Sequence, residues 1–292
     1  MALLTKIRVN SQNAFLVKFL FLLQVLLSSS SSAFRYEKPE YIDLSYVIDD
    51  SNIFFPGQRY EYDLMKDVKG FDRTDAGASF WYASYSFCMG EHGGTHVDAP
   101  FHFNKLGWKL SEIPLERMAD VPAAVIDVER YVFALSHPDE FALEVRHIME
   151  HEAINGPIPR GAVILVRTGW SRFWPDKEKY MGTRLENGNM TLNFPGLSGD
   201  AAKWLLSERN IVGVGIDTAS IDVGNYQGNN PICHRLFGSN QVYMIENVAN
   251  IDYLVKKMNA VSHRRCNLHL FVLPIKSNGT GGVSRILAYC KG

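Results

Sequence analysis

The sequence predicts an α/β fold, a single domain built on one mixed β-sheet with helices packed against it. Three observations point there. From about residue 123 onward, apolar strand-like runs alternate with helical patterns, which calls for crossover connections and parallel pairing. Strand-like segments at the start and the end of the chain are joined by turns and read as antiparallel. The 292 residues, 46% hydrophobic and 21% charged, are enough for one substantial core, and no internal repeat or linker divides them.

Taken in order, residues 41–45 alternate as a strand, and Phe55-Pro56-Gly57 marks a turn. Residues 60–68 and the aromatic-rich residues 80–88 read as two further strands. Of Phe80, Trp81 and Tyr82, most are expected to pack against a sheet, and some could floor a pocket. Residues 104–114 are loop-like. Residues 123–128 form an apolar strand. Ser136 can cap a helix that Asn155-Gly156 ends, and residues 162–167 are the next strand. Ser198 can cap a helix to about Arg209, followed by a buried strand at 211–217. Pro231 starts a short helix that Gly238 closes, and residues 242–246 are a strand. Residues 267–275 and 283–289 pair around Ser277-Asn278-Gly279.

Residues 1–33 stand apart. Lys6, Arg8 and Lys18 precede a short apolar run, and a serine tract ends at Ala33. A basic start, an apolar centre and small residues before a cut describe a secretory signal peptide, leaving residues 34–292 as the domain. Its removal takes the formal charge from −1 to −4. No basic patch argues for nucleic acid, and no run of about 20 apolar residues suggests a membrane span. A secreted protein gives meaning to the sequons Asn189-Met190-Thr191 and Asn278-Gly279-Thr280. It also permits disulfides among Cys88, Cys233, Cys266 and Cys290. Three full pairings are open, as are four free thiols. A hairpin centred near Asn278 would set Cys266 opposite Cys290.

The densest chemistry lies in His92-Gly93-Gly94-Thr95-His96-Val97-Asp98-Ala99-Pro100-Phe101-His102-Phe103. His92, His96, Asp98 and His102 all occupy even positions, which share one face of an extended chain. Gly93, Gly94 and Pro100 disfavour a helix. Several ionisable groups at one spot need a common partner, because burying them unpaired is costly. A zinc or manganese ion suits this set. Three protein ligands leave a coordination position for water, whose pKa such an ion lowers from about 15.7 to about 7. His102, one step beyond the ligands, is placed to move a proton.

Two other patterns are weaker. His147 and His151 sit four apart, on the opposite side of their helix from Phe141, Val145, Ile148 and Met149, and read as a surface pair. His92-Gly93-Gly94 is also the form of an esterase oxyanion loop. That chemistry needs a Gly-x-Ser-x-Gly elbow, which the sequence lacks.

Residues 92–103 resemble the signature of the metal-dependent cyclase family, which includes kynurenine formamidases and isatin hydrolases. Asp43-Leu44-Ser45, Phe55-Pro56-Gly57, Leu165-Val166-Arg167-Thr168-Gly169-Trp170 and Gly215-Ile216-Asp217-Thr218-Ala219-Ser220-Ile221-Asp222 resemble its other landmarks in order. The resemblance runs from about Tyr41 to Tyr289. It implies a mixed sheet or partly closed barrel and a homo-oligomer, most simply a dimer. It also implies that His92, His96 and Asp98 bind a first metal, that Asp98 bridges to a second held by His234 and Glu246, and that His102 is the acid/base residue. One or two ions, zinc or manganese, are consistent with it. Cys233 departs from the pattern, standing where the formamidases often have another histidine. The secretory leader departs from the expectation for tryptophan catabolism.

The expected function is a secreted metal-dependent amidohydrolase of the arylformamidase type, acting on a small-molecule amide such as N-formylkynurenine. Opening of a cyclic amide or lactone, as in the isatin hydrolases, and a non-catalytic secreted metal- or ligand-binding protein are the alternatives.

Overall fold

The computed structural model describes residues 40–58, 62–75, 78–186, 189–224, 230–260 and 266–291. The proposed signal peptide lies outside the described residues. The strands are β1 (Ile42–Asp43), β2 (Tyr62–Asp75), β3 (Ala78–Met89), β4 (His96–Asp98), β5 (Val121–Asp127), β6 (Ala142–Leu143), β7 (Val163–Arg167), β8 (Arg184–Glu186), β9 (Asn189–Thr191), β10 (Gly196–Leu197), β11 (Gly213–Ile216), β12 (Tyr243–Glu246), β13 (Asn267–Pro274) and β14 (Gly281–Lys291). Eight of them form the main sheet in the order β1-β14-β13-β5-β7-β11-β12-β4, and a further β14–β4 pairing closes seven into a barrel. Strands β5, β7, β11 and β12 run parallel, while β4, β13 and β14 are antiparallel to their neighbours. The mixed sheet expected from the sequence is therefore a closed one.

The parallel strands are apolar on both faces, as crossover strands must be. Val163, Ile164, Leu165 and Val166 of β7 are fully buried. One side faces the barrel interior with Val97, Val125, Leu165 and Ile245. The other packs under the helices α1 (Val145–Asn155) and α2 (Gly199–Trp204) through Ile148, Ala201 and Ala202. Ser198 caps α2 as expected, its Oγ accepting from the Ala201 amide at 3.1 Å. The helix α3 (Ile232–Ser239) follows Pro231. A helix not anticipated from the sequence, α4 (Ile251–Ala260), buries Ile251 and Leu254.

The landmark segments act as scaffold. Asp217, just past β11, accepts hydrogen bonds from Thr168 N (2.8 Å), Thr168 Oγ1 (2.6 Å) and Gly169 N (2.8 Å) beyond β7. Arg167 pairs with Asp127, Glu129 and Asp252, which ties β5 and α4 to β7.

Several expectations need correction. The helix capped at Ser136 is a 3-10 turn (Pro138–Glu140), the short strand β6 and then α1. On α1, Met149 is 58% exposed, whereas His147 is buried. His147 caps the helix, its Nδ1 accepting from the Glu144 amide at 3.0 Å, and packs against Phe141 and Tyr131. It is not a surface histidine. The C-terminal hairpin pairs Leu268 with Cys290, two residues off the expected register. Cys266 and Cys290 still lie close enough diagonally, 5.0 Å between Cα atoms, to form a disulfide. Cys88 and Cys233 are free. Phe80 and Trp81 lie outside the buried core. They sit on the two-stranded β2–β3 sheet, 47% and 70% exposed.

Candidate metal centre

Strand β4 carries the centre because it closes the barrel. It pairs with β12, setting His96 across from Glu246, and with β14, setting Asp98 across from Gly281. His92 comes from the turn before β4, where Gly94 adopts φ 57° and frees the chain to reverse. Pro100 then opens a 3-10 turn (Pro100–His102). The extended-face reading therefore holds only for residues 96–98, and His102 returns toward Asp98 through the turn. Helix α3 supplies His234.

Asp98 is the hub. Its Oδ1 lies 2.7 Å from His92 Nδ1 and 3.2 Å from His96 Nε2, and its Oδ2 lies 3.5 Å from His234 Nε2. Glu246 lies 3.1 Å from His234 Nε2 and 3.5 Å from His96 Nε2. All five residues are buried. Two triads are each compact enough to hold one ion, His92 with His96 and Asp98, and Asp98 with His234 and Glu246. His102 Nε2 is 3.9 Å from Asp98 Oδ2, and its side chain is 29% exposed. Its ring stacks on His92 and meets Phe103 edge-on.

The donor set fits a cation. His96 Nδ1–H donates to the Gly94 carbonyl at 3.0 Å, so the ring, once it gives up its second proton to a metal, turns its Nε2 lone pair toward Asp98 and Glu246. That buried Nε2 has no hydrogen-bond partner, since Asp98 stands at 3.2 Å without hydrogen-bonding geometry. An unpaired buried acceptor between two carboxylates is what a metal ion satisfies. His234 is held in the same way, its Nδ1–H donating to Asp222 Oδ2 at 2.6 Å. Asp222 also accepts from the Cys233 and His234 amides, at 2.8 and 3.1 Å, at the start of α3.

The protonation behaviour shows the same excess of negative charge. Burial pushes His96 down, but Asp98 and Glu246 outweigh it, and its pKa rises to about 9. His234 rises for the same reason, with Asp222 the largest contribution against burial. Burial raises Asp98, but the imidazoles of His92, His234 and His96 packed around it hold it well below the usual carboxylate range. His102 moves the other way. Burial and the neighbouring imidazoles lower it to about 4 against the pull of Asp98.

The structure thus gathers His92, His96, Asp98, His234, Glu246 and His102 from three chain segments. Sequence reasoning assigned no role to Asp222 or to Asn247. Asn247 Nδ2 also donates to the Gly94 carbonyl, at 2.8 Å, while its Oδ1 accepts from Tyr180. Asp222 does stand at the end of a landmark segment, which is a signal that could have found it. Cys233, the departure from the formamidase pattern, turns away from the centre and donates its Sγ–H to the Leu197 carbonyl in the core.

Residues 42–223 match the family described as putative cyclase. The chain belongs to the putative cyclase family. An isatin hydrolase of Roseibium aggregatum is 31% identical over 208 residues, 68% of this chain and 72% of that protein. A kynurenine formamidase of Bacillus mycoides is 24% identical over 220 residues, covering 74% and 85%. The solved structure of isatin hydrolase A from Ralstonia solanacearum superposes with a TM-score of 0.71 at 25% identity, covering 92% of this chain and 97% of that one. The cyclase-family barrel and the hydrolase relationship follow from these likenesses.

Proposed function

We propose that this cyclase-family protein is a divalent-metal-dependent amidohydrolase cleaving the C–N bond of a small aromatic amide. The observation that carries the reading is the convergence of His92, His96, Asp98, His234 and Glu246 at one buried point, with His102 on its solvent side. His92, His96 and Asp98 would hold one ion, and Asp98, His234 and Glu246 a second, with zinc or manganese matching the nitrogen and oxygen donors. A bound ion supplies Lewis acidity there, polarising a carbonyl oxygen and acidifying a water. His102, neutral at pH 7, accepts a proton at a ring nitrogen and passes it to the departing amide nitrogen. In the balance of the reaction, water adds across the C–N bond, with hydroxyl to carbon and proton to nitrogen. The Phe103 ring, 4.5 Å from His102 and 4.7 Å from His234, offers an apolar surface to an aromatic substrate.

The isatin hydrolase likeness supports opening of a cyclic amide as well as the formamidase likeness supports cleavage of an aryl formamide. One assay separates them. The purified protein is treated with chelator, reloaded with zinc or manganese, and offered isatin, N-formylkynurenine and simple lactones side by side. Turnover of one substrate class that returns with the ion is expected. Full activity in the metal-free protein refutes the proposal, and metal binding without turnover of any of them favours a binding protein.

The reading extends to setting. We place the protein in the secretory pathway, supported by its basic-apolar-serine start, by the Cys266–Cys290 disulfide and by the exposed Asn278 sequon. A homodimer is supported by the exposed Phe80, Trp81, Tyr85 and Phe87 of strand β3. Light scattering on the purified protein tests it, and a monomeric mass excludes it.

A further inference from the structure

We propose that Glu91 and Thr280 form a positioning relay that fixes the tautomer of His92 and aims its Nδ1 into the metal centre. The inference rests on the metal-site reading above and adds residues that the ligand set does not contain. Thr280 Oγ1 lies 2.6 Å from Glu91 Oε2 and 3.0 Å from His92 Nε2. A carboxylate only accepts, so the threonine hydroxyl donates its one proton to Glu91. Its lone pairs are left to accept from His92, which puts the proton of the neutral ring on Nε2. The Nδ1 lone pair then faces Asp98 Oδ1, 2.7 Å away, where two acceptors oppose each other unless a second proton or a metal cation lies near both. His96 and His234 reach the same state by simpler means, each donating its far nitrogen directly to one acceptor. His92 is turned the other way round, with Nδ1 inward, and its outward nitrogen needs the two-residue relay.

The backbone is built around this contact. The Thr280 amide also donates to Glu91 Oε2, at 3.0 Å, so the carboxylate grips both donors of one residue. A Cβ on Gly279 would fall 1.8 Å from Glu91 Oε1, and a Cβ on Gly281 would fall 2.7 Å from His92 Cε1. The two glycines flanking Thr280 therefore give the carboxylate and the imidazole the room they occupy. The Thr280 carbonyl accepts from the Ala99 amide at 2.8 Å, which anchors the threonine to the chain that carries Asp98.

The test reads metal affinity rather than turnover. Every variant is made in an Asn278→Gln background, so that no glycan differs between them. Zinc and manganese are titrated separately against a chromophoric chelator. Thr280→Val removes the hydroxyl at constant shape, Glu91→Ala frees the hydroxyl to donate toward Nε2, and Thr280→Ser restores the relay. Loss of an outer hydrogen-bonding partner typically weakens metal binding about 10- to 100-fold, and that loss is expected for the first two variants, with Thr280→Ser at the parental affinity. Parental affinity in Thr280→Val or in Glu91→Ala overturns the relay. So does a Thr280→Ser variant as weak as Thr280→Val, which would make the threonine a packing residue. Glu91 is partly exposed, so Glu91→Ala keeps the test decisive if Thr280→Val does not fold. A parent protein that binds neither ion removes the metal-site reading itself, and that failure is visible before any variant is compared.

Discussion

Asp222→Asn should convert His234 from an acceptor at the metal centre into a donor. Asp222 accepts three hydrogen bonds, from Cys233 N at 2.8 Å, His234 N at 3.1 Å and His234 Nδ1 at 2.6 Å. The carboxamide keeps one oxygen. If that oxygen stays with Cys233, the new NH2 meets two donors on His234. The imidazole relieves the clash by moving its proton to Nε2, and the amide of His234 loses its acceptor. Nε2–H then points at Glu246 Oε1, 3.1 Å away, and at Asp98 Oδ2, 3.5 Å away, where an ion would have taken the lone pair. Outer-partner losses of this kind typically weaken metal binding about 10- to 100-fold, or about 1.4 to 2.8 kcal/mol. The orphaned amide separately costs about 1 to 3 kcal/mol of folding stability. Chelator competition on the folded protein measures the first effect, and urea denaturation of the metal-free protein measures the second. An Asp222→Asn protein that binds zinc and manganese as tightly as the parent refutes the tautomer reasoning, whatever its stability.

Three further outcomes are expected. His102→Ala should retain the metal, because its Nε2 stands 3.9 Å from Asp98 outside both triads, and should lose about 10²- to 10⁴-fold in kcat, the usual worth of acid-base assistance; unchanged kcat excludes it as the proton carrier. Burial raises the fully enclosed Asp217 from 3.8 to about 6 against its three hydrogen bonds. The folded state thus holds a proton that the unfolded chain releases, so this contribution is fully present below about pH 4 and is lost as pH rises through about 6. The stability of the parent relative to Asp217→Asn should accordingly fall by about 3 kcal/mol between pH 4 and pH 7, measured by denaturant titration at each pH, and a constant difference contradicts the shift. Reduction of the Cys266–Cys290 bond, which joins residues 24 apart, should cost about 3.5 kcal/mol by the loop-entropy estimate. Denaturation curves that coincide with and without reductant rule that contribution out.

The parts of the fold legible in the sequence are those whose pattern is local. The runs at residues 163–166 and 243–245 are apolar throughout because one face lines the barrel interior and the other lies under the helices, and continuous burial leaves a continuous apolar string. Ser198 announces its helix because the cap is a side chain three residues from the amide that it serves in the first turn. Closure of the barrel is not local. It depends on the three-residue strand His96–Asp98 pairing with β12 on one side and β14 on the other, and a three-residue strand has no period to read. Helix α4 is a different case, since Ile251, Leu254, Val255 and Met258 recur at i, i+3, i+4 and i+7, a local helical stripe that the sequence does carry. His147 was misread because polarity was taken for exposure. The ring accepts a backbone hydrogen bond at the helix start, and that bond allows an imidazole to be buried at little cost.

At the metal centre the division follows the distance between partners. His92, His96, Asp98 and His102 fall within eleven residues, and a cluster so dense declares itself. His234 and Glu246 were supplied by family resemblance, since one histidine on a short helix and one glutamate at a strand end are ordinary alone. What no local pattern could supply is which nitrogen of each ring faces inward. For His96 that is decided by a carbonyl two residues away, for His234 by a carboxylate twelve residues away, and for His92 by a hydroxyl 188 residues away. In each case the outer acceptor fixes the inner lone pair, so all three rings present acceptors to a point that already holds two carboxylates. Without an ion, protons must fill that space, which is why His96 and His234 hold theirs so tightly; a divalent cation takes the same place with all five groups as acceptors. The orientation of the outer nitrogens, rather than the count of histidines, is therefore the stronger argument that this site is built for a divalent cation.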